Sequence, residues 1–160
     1  MNRKIELTVS LEVVQQKNWS EQDKILIAKA TNILESAHAP YSGFLVGAAL
    51  LLENGAIFAA NNQENVSFPV GICAERAVLS YAMANHPDIR PVKIVIVAKR
   101  KGESEFATVT PCGLCRQTIN EYEVKFNSPI EISMLNPNGE ILKASGIEQL
   151  LPFRFNNLKG

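Results

Sequence analysis

Cys73-Ala74-Glu75-Arg76 and Pro111-Cys112-Gly113-Leu114-Cys115-Arg116-Gln117 contain all three cysteines of this chain. They offer three thiolate ligands and, two residues after the first, a carboxylate. Cys73 and Glu75 would point in nearly opposite directions on the flank of a helix. They converge only if a metal lies off the helix end, with Cys73 in the first turn. The same applies to Cys112 and Cys115, where Pro111 marks a helix start and three-residue spacing brings both sulfurs together. The expectation is two helix N-termini aimed at one ion. Three protein ligands leave the fourth tetrahedral position of zinc open to water, as in catalytic sites. A carboxylate beside that water can move its protons, so the two stretches read as a zinc hydrolase.

Three thiolates around a divalent cation leave a net negative charge. Exposed backbone N–H groups and two helix dipoles offset part of it. Arg76 is expected to add a full positive charge and hydrogen bonds to the sulfurs; a plain surface arginine is the alternative. Two other uses of the cysteines stay open. His38 could close a Cys₃His structural site, whereas His86, thirteen residues past Cys73, lies ~20 Å along the helix and is too far. Cys112-x-x-Cys115 after a strand also matches a thioredoxin-like redox pair, which leaves Cys73 and Glu75 without a role.

Outward from the cysteines, the pattern is regular. Residues 3–14 alternate as an N-terminal strand through Ile5, Leu7, Val9, Leu11 and Val13. Ser20 with Asp23 starts a helix. Leu26, Ala30, Ile33, Leu34 and Ala37 give its apolar face, and Pro40 closes it. Phe44–Leu52 and Ala56–Ala60 flank Asn54-Gly55, a strong hairpin signal. A second helix runs from about Cys73 with Ala74, Ala77, Val78, Tyr81 and Ala82 on one face. Val92–Ala98 suits a strand buried on both faces. A third helix begins at Pro111–Cys112. Ile130–Leu135 and Ile141–Ala144 form a late hairpin around Asn136-Pro137-Asn138-Gly139, and a short helix covers Ile147–Leu151. This order predicts an α/β three-layer sandwich: a mixed central β-sheet with helices on both faces.

The chain has 160 residues, expected to form a single domain over 1–160, with 1–20 an N-terminal extension supplying an extra strand. Sixteen basic and sixteen acidic side chains cancel, and no basic stripe offers a polyanion a footprint, so no nucleic-acid partner is expected. Lys99-Arg100-Lys101 is followed by Glu103 and Glu105, a solvated loop. Glu6 and Glu12 interrupt any signal peptide, and no apolar run suits a membrane span. A cytoplasmic protein is expected.

The two cysteine stretches resemble the Cys₃ form of the zinc deaminase signature. The flanking residues are similar to the small cytidine deaminases. Ala39-Pro40-Tyr41-Ser42-x-Phe44-x-Val46-Gly47-Ala48-Ala49 resembles that family's first motif; Asn62-x-Glu64-Asn65 and Pro111-Cys112-Gly113-x-Cys115-Arg116-Gln117 resemble the next two. Leu150-Leu151-Pro152 with Phe155 resembles its C-terminal end. Ala60 stands where the family often has glycine, and Val66 where alanine is common.

The resemblance implies one Zn²⁺ per chain on Cys73, Cys112 and Cys115, with Glu75 as proton shuttle. It implies hydrolytic deamination of cytidine and deoxycytidine to uridine and deoxyuridine, with release of ammonia, in pyrimidine salvage. Phe44 would pack on the pyrimidine, and Asn62 and Glu64 would hydrogen-bond the ribose. The amide of Ala74 and the carbonyl of Cys112 would read the polar edge of the base, and Phe155 would reach a neighbouring subunit's pocket. The implied assembly is a homotetramer. A blasticidin-type deaminase shares the metal signature and is the nearest alternative; Asn62 and Glu64 favour a nucleoside with free ribose hydroxyls.

Overall fold

The computed structural model describes residues 2–157. Six strands form one mixed sheet in the order β1-β6-β5-β4-β2-β3. They are β1 (Glu12–Val14), β2 (Phe44–Leu52), β3 (Ile57–Asn61), β4 (Pro91–Arg100), β5 (Glu131–Leu135) and β6 (Ile141–Ala144). Three helices accompany them: α1 (Glu21–Leu34), α2 (Ala74–Asn85) and α3 (Gly113–Phe126). Only β4 and β5 run parallel, and α3 supplies the crossover such a pair needs.

The central strands are apolar at nearly every position because both sheet faces are covered. On β2, Ala48, Leu50 and Leu52 join one core cluster, while Leu45, Ala49 and Leu51 join the other. On β4, Ile94, Ile96 and Ala98 face the first cluster; Val95 and Val97 face the second. That is the two-residue period of a strand in the middle layer of a sandwich. Leu26, Ile27, Ala30 and Leu34 of α1 cap one face. Val78, Leu79, Ala82 and Met83 of α2 and Ile119 of α3 cap the other. The three-layer expectation holds.

Local signals explain the element ends. Ser20 caps α1 in a capping box: its Oγ accepts from Asp23 N at 3.1 Å, and Ser20 N donates to Asp23 Oδ2 at 3.0 Å. In the β2–β3 turn, Gly55 has φ 87° and Asn54 Oδ1 accepts from Ala56 N at 3.1 Å. Gly47 sits where a Cβ would lie 2.0 Å from the Ala30 carbonyl oxygen, so only glycine lets α1 approach β2 this closely. Ala60, opposite Ala48, keeps regular register, and Val66 is exposed, so neither replacement disturbs the backbone pattern.

Four expectations need correction. The N-terminal strand is confined to Glu12–Val14 rather than 3–14. Its partner β6 ends at Ala144, shortly after the Glu12↔Lys143 pair, so earlier residues have nothing to bond to there. α1 ends at Leu34, well before Pro40: Ser36 N donates to Ile33 O and Ala37 N to Leu34 O, closing the last turn. Ala37 therefore lies outside the helix. Tyr81 is exposed and meets Phe58 edge-on, because the buried face of α2 is set by Glu75, Leu79 and Met83 instead. The final helix is a single 3₁₀ turn, Ile147–Gln149.

Candidate active site

Cys73 is the N-cap of α2 and Cys112 the N-cap of α3. Neither uses its side chain as a cap, which leaves both sulfurs free to face away from their helices. Cys115 lies in the first turn of α3 and is fully buried. Cys73 Sγ is 3.7 Å from Cys112 Sγ, and Cys112 Sγ is 3.5 Å from Cys115 Sγ. Zn–S bonds of ~2.3 Å at tetrahedral angles put sulfurs ~3.8 Å apart, so the trio fits one zinc ion. Among the described residues these three are the one cluster of potential ligand atoms within 4.8 Å of one another, and His38 is not part of it. The cysteines are free thiols, so the closed Cys₃His site and a formed Cys112–Cys115 disulfide both lack support here.

The three sulfurs do not share charge evenly. Hydrogen bonds from Cys115 and Cys112 and the Arg76 charge hold Cys73 down at about 5 despite burial. The mirror effect, donation to Cys73 together with burial, pushes Cys115 far up. Arg76 Nη2 donates to Gly71 O at 3.0 Å, fixing its guanidinium beside Cys73.

Glu75, in the first turn of α2, is only 4% exposed. Burial pushes its carboxyl up to about 7; the nearby Cys73 charge adds to this, and backbone and Cys115 hydrogen bonds oppose it. Ala74, at the first helical position, has an N–H without an acceptor in its own helix. The Cys112 carbonyl accepts from Arg116 N at 2.9 Å, so one of its lone pairs is committed to α3.

Cys73, Glu75, Arg76 and Cys112 line a cavity of about 500 Å³, a size suited to a small-molecule ligand. Its walls also include Phe44, Asn62, Glu64, Phe68, Val109 and Leu114. A larger hollow of about 730 Å³ beside Glu123 and Arg154 is lined by no cysteine or histidine.

Phe44, Asn62 and Glu64 line the same cavity, and within the chain each of the two polar side chains holds neighbouring backbone. Asn62 Oδ1 accepts from Val46 N at 2.9 Å and its Nδ2 donates to Phe44 O at 2.9 Å. The amide thus splints β2 at Phe44 and keeps one N–H for another acceptor. Glu64 accepts from Tyr41 N at 2.8 Å and from both the backbone N and the hydroxyl of Ser42, which lower its pKa. Phe155 lies outside the cavity of its own chain; its carbonyl is held by Gln117 and Asn120, each at 3.0 Å.

Sequence reasoning assigns no role to Arg116, which donates to Pro111 O at 2.8 Å and Leu150 O at 2.6 Å, bracing the loop before Cys112. It also misses Phe68 and Leu114 on the cavity wall. An apolar residue in a loop or on the exposed side of a helix carries no local signal for a pocket.

A family profile, the cytidine and deoxycytidylate deaminase zinc-binding region, matches residues 20–127. The chain belongs to this deaminase family. The match spans Cys73, Cys112 and Cys115. The region is a zinc-binding one, and Cys73, Cys112 and Cys115 are positioned to hold the ion. Among relatives of this deaminase-family chain, a cytidine deaminase of Sporosarcina psychrophila is 36% identical over 132 residues, 82% of this chain and 89% of that protein. The crystal structure of cytidine deaminase from Burkholderia pseudomallei superposes with a TM-score of 0.69 at 34% identity, covering 82% of this chain and 98% of that one. A blasticidin-S deaminase of Bacillus cereus is more distant, 27% identical over 142 residues, 86% of this chain and 95% of that protein.

Proposed function

We propose that this protein hydrolyses the C4 amino group of cytidine and deoxycytidine, giving uridine or deoxyuridine and ammonia. The observation that carries the reading is the buried Glu75 carboxyl beside three clustered cysteine sulfurs, with Glu75, Cys73 and Cys112 lining a nucleoside-sized cavity. Cys73, Cys112 and Cys115 would hold a zinc ion, which when bound would supply the Lewis acidity that makes a water nucleophilic at neutral pH. Glu75 takes one proton from the attacking water and delivers it to ring N3. It then carries the second proton to the C4 amine, which leaves as ammonia. A carboxyl pushed up to about 7 is suited to both holding and giving a proton near neutrality.

Phe44 packs against the pyrimidine face, and the Ala74 N–H and Cys112 carbonyl meet its polar edge. Asn62 and Glu64 bind the ribose hydroxyls; Asn62 does so with its remaining N–H while holding Phe44 in place. Arg76 steadies the Cys73 thiolate.

The single domain acts as a homotetramer in the cytoplasm, in pyrimidine salvage. Free cysteines suit a reducing compartment. Val66, Phe68, Val70, Leu114, Phe153 and Phe155 are each at least 62% exposed, an apolar surface that second copies would cover. In the tetramer Phe155 reaches the cavity of a neighbour. The test is uridine formation from cytidine, followed by ultraviolet absorbance on protein of known zinc content. Turnover with about one zinc per chain, lost in Glu75→Gln, is the expected result; zinc-loaded protein inert toward both nucleosides would sink the reading.

A further inference from the structure

Residues 4–13 alternate without a break between polar positions (Lys4, Glu6, Thr8, Ser10, Glu12) and apolar ones (Ile5, Leu7, Val9, Leu11, Val13). The five apolar side chains are 38–63% exposed, an unpartnered stripe on a segment that pairs with no strand of its own sheet before Glu12. Lys4 and Glu6 lie on one side, joined at 2.7 Å, as the two-residue period requires. Ser10 N–H points back into its own chain, donating to Gln149 Oε1 at 2.8 Å. Backbone groups of an extended chain alternate in direction, so the N–H and C=O groups of the odd-numbered residues face outward. β1 ends the sheet on this side, leaving that edge open to pairing.

We propose that the same segment of a second copy pairs with this edge, antiparallel, about a two-fold axis through Thr8. In that register Leu7 faces Val9, Ile5 faces Leu11 and Lys4 faces Glu12, each contact made twice by symmetry. The apolar stripes then share one face, and the opposite charges meet on the other. Neighbouring registers fail on the same sequence. A one-residue slip sets apolar against polar side chains throughout. An axis through Val9 places Glu6 opposite Glu12, and an axis through Leu7 leaves Lys4 opposite Ser10 with no charge partner. Glu12 already faces Lys143 on β6, so the proposed pairing alternates Lys143, Glu12 and Lys4 of the second copy across three strands. The paired segments then form a two-stranded ribbon that links the β1 edges of the two sheets. The pairing is independent of the catalytic reading.

Because Thr8 N–H points inward like that of Ser10, the Thr8 pair is a non-hydrogen-bonded one. Its Cα atoms lie ~4.5 Å apart, within disulfide range. The two Ser10 Cα atoms would lie roughly 14 Å apart. The test is oxidation of full-length Thr8→Cys and Ser10→Cys proteins with oxidised glutathione, with peptide mapping of the products and uridine formation as the folding control. The expected result is a disulfide between copies through position 8 in the first variant and none through position 10 in the second. Adding Lys4→Glu to Thr8→Cys should slow cross-linking roughly fivefold or more, since two cross-strand pairs become repulsive. Lys17→Glu, the same charge change outside the segment, should not. Failure of position 8 to cross-link, or equal cross-linking through position 10, overturns the proposal.

Discussion

Cys73 Sγ lies 3.7 Å from Cys112 Sγ although 39 residues separate them in the chain. The contact exists because α2 and α3 cover the same face of the sheet with adjacent N-termini, and each begins on a cysteine. Removing the metal should therefore strain both helix starts at once. Chelation is expected to abolish turnover and lower the melting temperature by roughly 5–10 °C, the effect of losing a ligand held well above its dissociation constant. Scanning calorimetry with and without added zinc checks this, and an unchanged melting temperature would count against a single three-thiolate site.

Glu75→Gln keeps the shape of the buried side chain but cannot carry protons. Turnover should fall by about 10²–10⁴-fold, with zinc content and thermal stability maintained. A variant that loses zinc or unfolds would instead assign Glu75 a structural role.

Glu64 and Asn62 should separate in kinetics. Glu64→Ala is expected to raise KM for cytidine far more than for a sugarless cytosine analogue. Asn62→Ala should affect both substrates, because it also frees the Val46 N–H and Phe44 carbonyl that Asn62 holds. It should also cost about 1–2 kcal/mol in urea unfolding. Equal responses of the two variants would remove the distinction.

Asp23 is buried, and burial alone would raise its pKa; hydrogen bonds from Lys93, Ser20 and Lys143 outweigh that and hold it well below the usual carboxylate range. The folded state thus binds this proton less readily than the unfolded chain. The stabilisation is present above the ordinary value of 3.8 and fades as pH falls through the folded value. Asp23→Asn should cost about 3 kcal/mol near neutral pH, with Glu131 still 2.7 Å from Lys93 to limit the loss. The gap between wild type and variant should narrow steadily from about pH 4 downward. A gap constant over that range would deny Asp23 its charged role.

Gly47→Ala places a methyl group 2.0 Å from the Ala30 carbonyl oxygen, a backbone atom that cannot rotate away. α1 must lift from β2, at a cost of about 1–3 kcal/mol. A stability within about 0.5 kcal/mol of wild type would show that the helix yields freely.

Most strands, the three helices and the cysteine–glutamate cluster were legible because each rests on local chemistry, whereas Phe44, Asn62 and Glu64 were singled out only by the family resemblance. Ser20 with Asp23, Asn54-Gly55 and the uninterrupted run from Val92 to Ala98 are signals of propensity, turn geometry and period that need no distant partner. The Cys-Ala-Glu and Pro-Cys-x-x-Cys stretches likewise carry their ligand types and helix-end placement in a few residues. What the sequence could not decide depended on neighbours. The alternation of residues 3–14 predicts a strand, but a strand forms only where β6 offers backbone groups to bond, which leaves Glu12–Val14. Helical spacing put Tyr81 on the buried face, yet which stripe of α2 turns inward is set by the sheet it packs on and by the need to place Glu75 in the cavity lining. The sequence alone determined which atoms could hold a metal and move a proton. Only the tertiary structure decided that three sulfurs meet within bonding reach of one ion, because that convergence is fixed by helices packed on a shared sheet and not by any spacing along the chain.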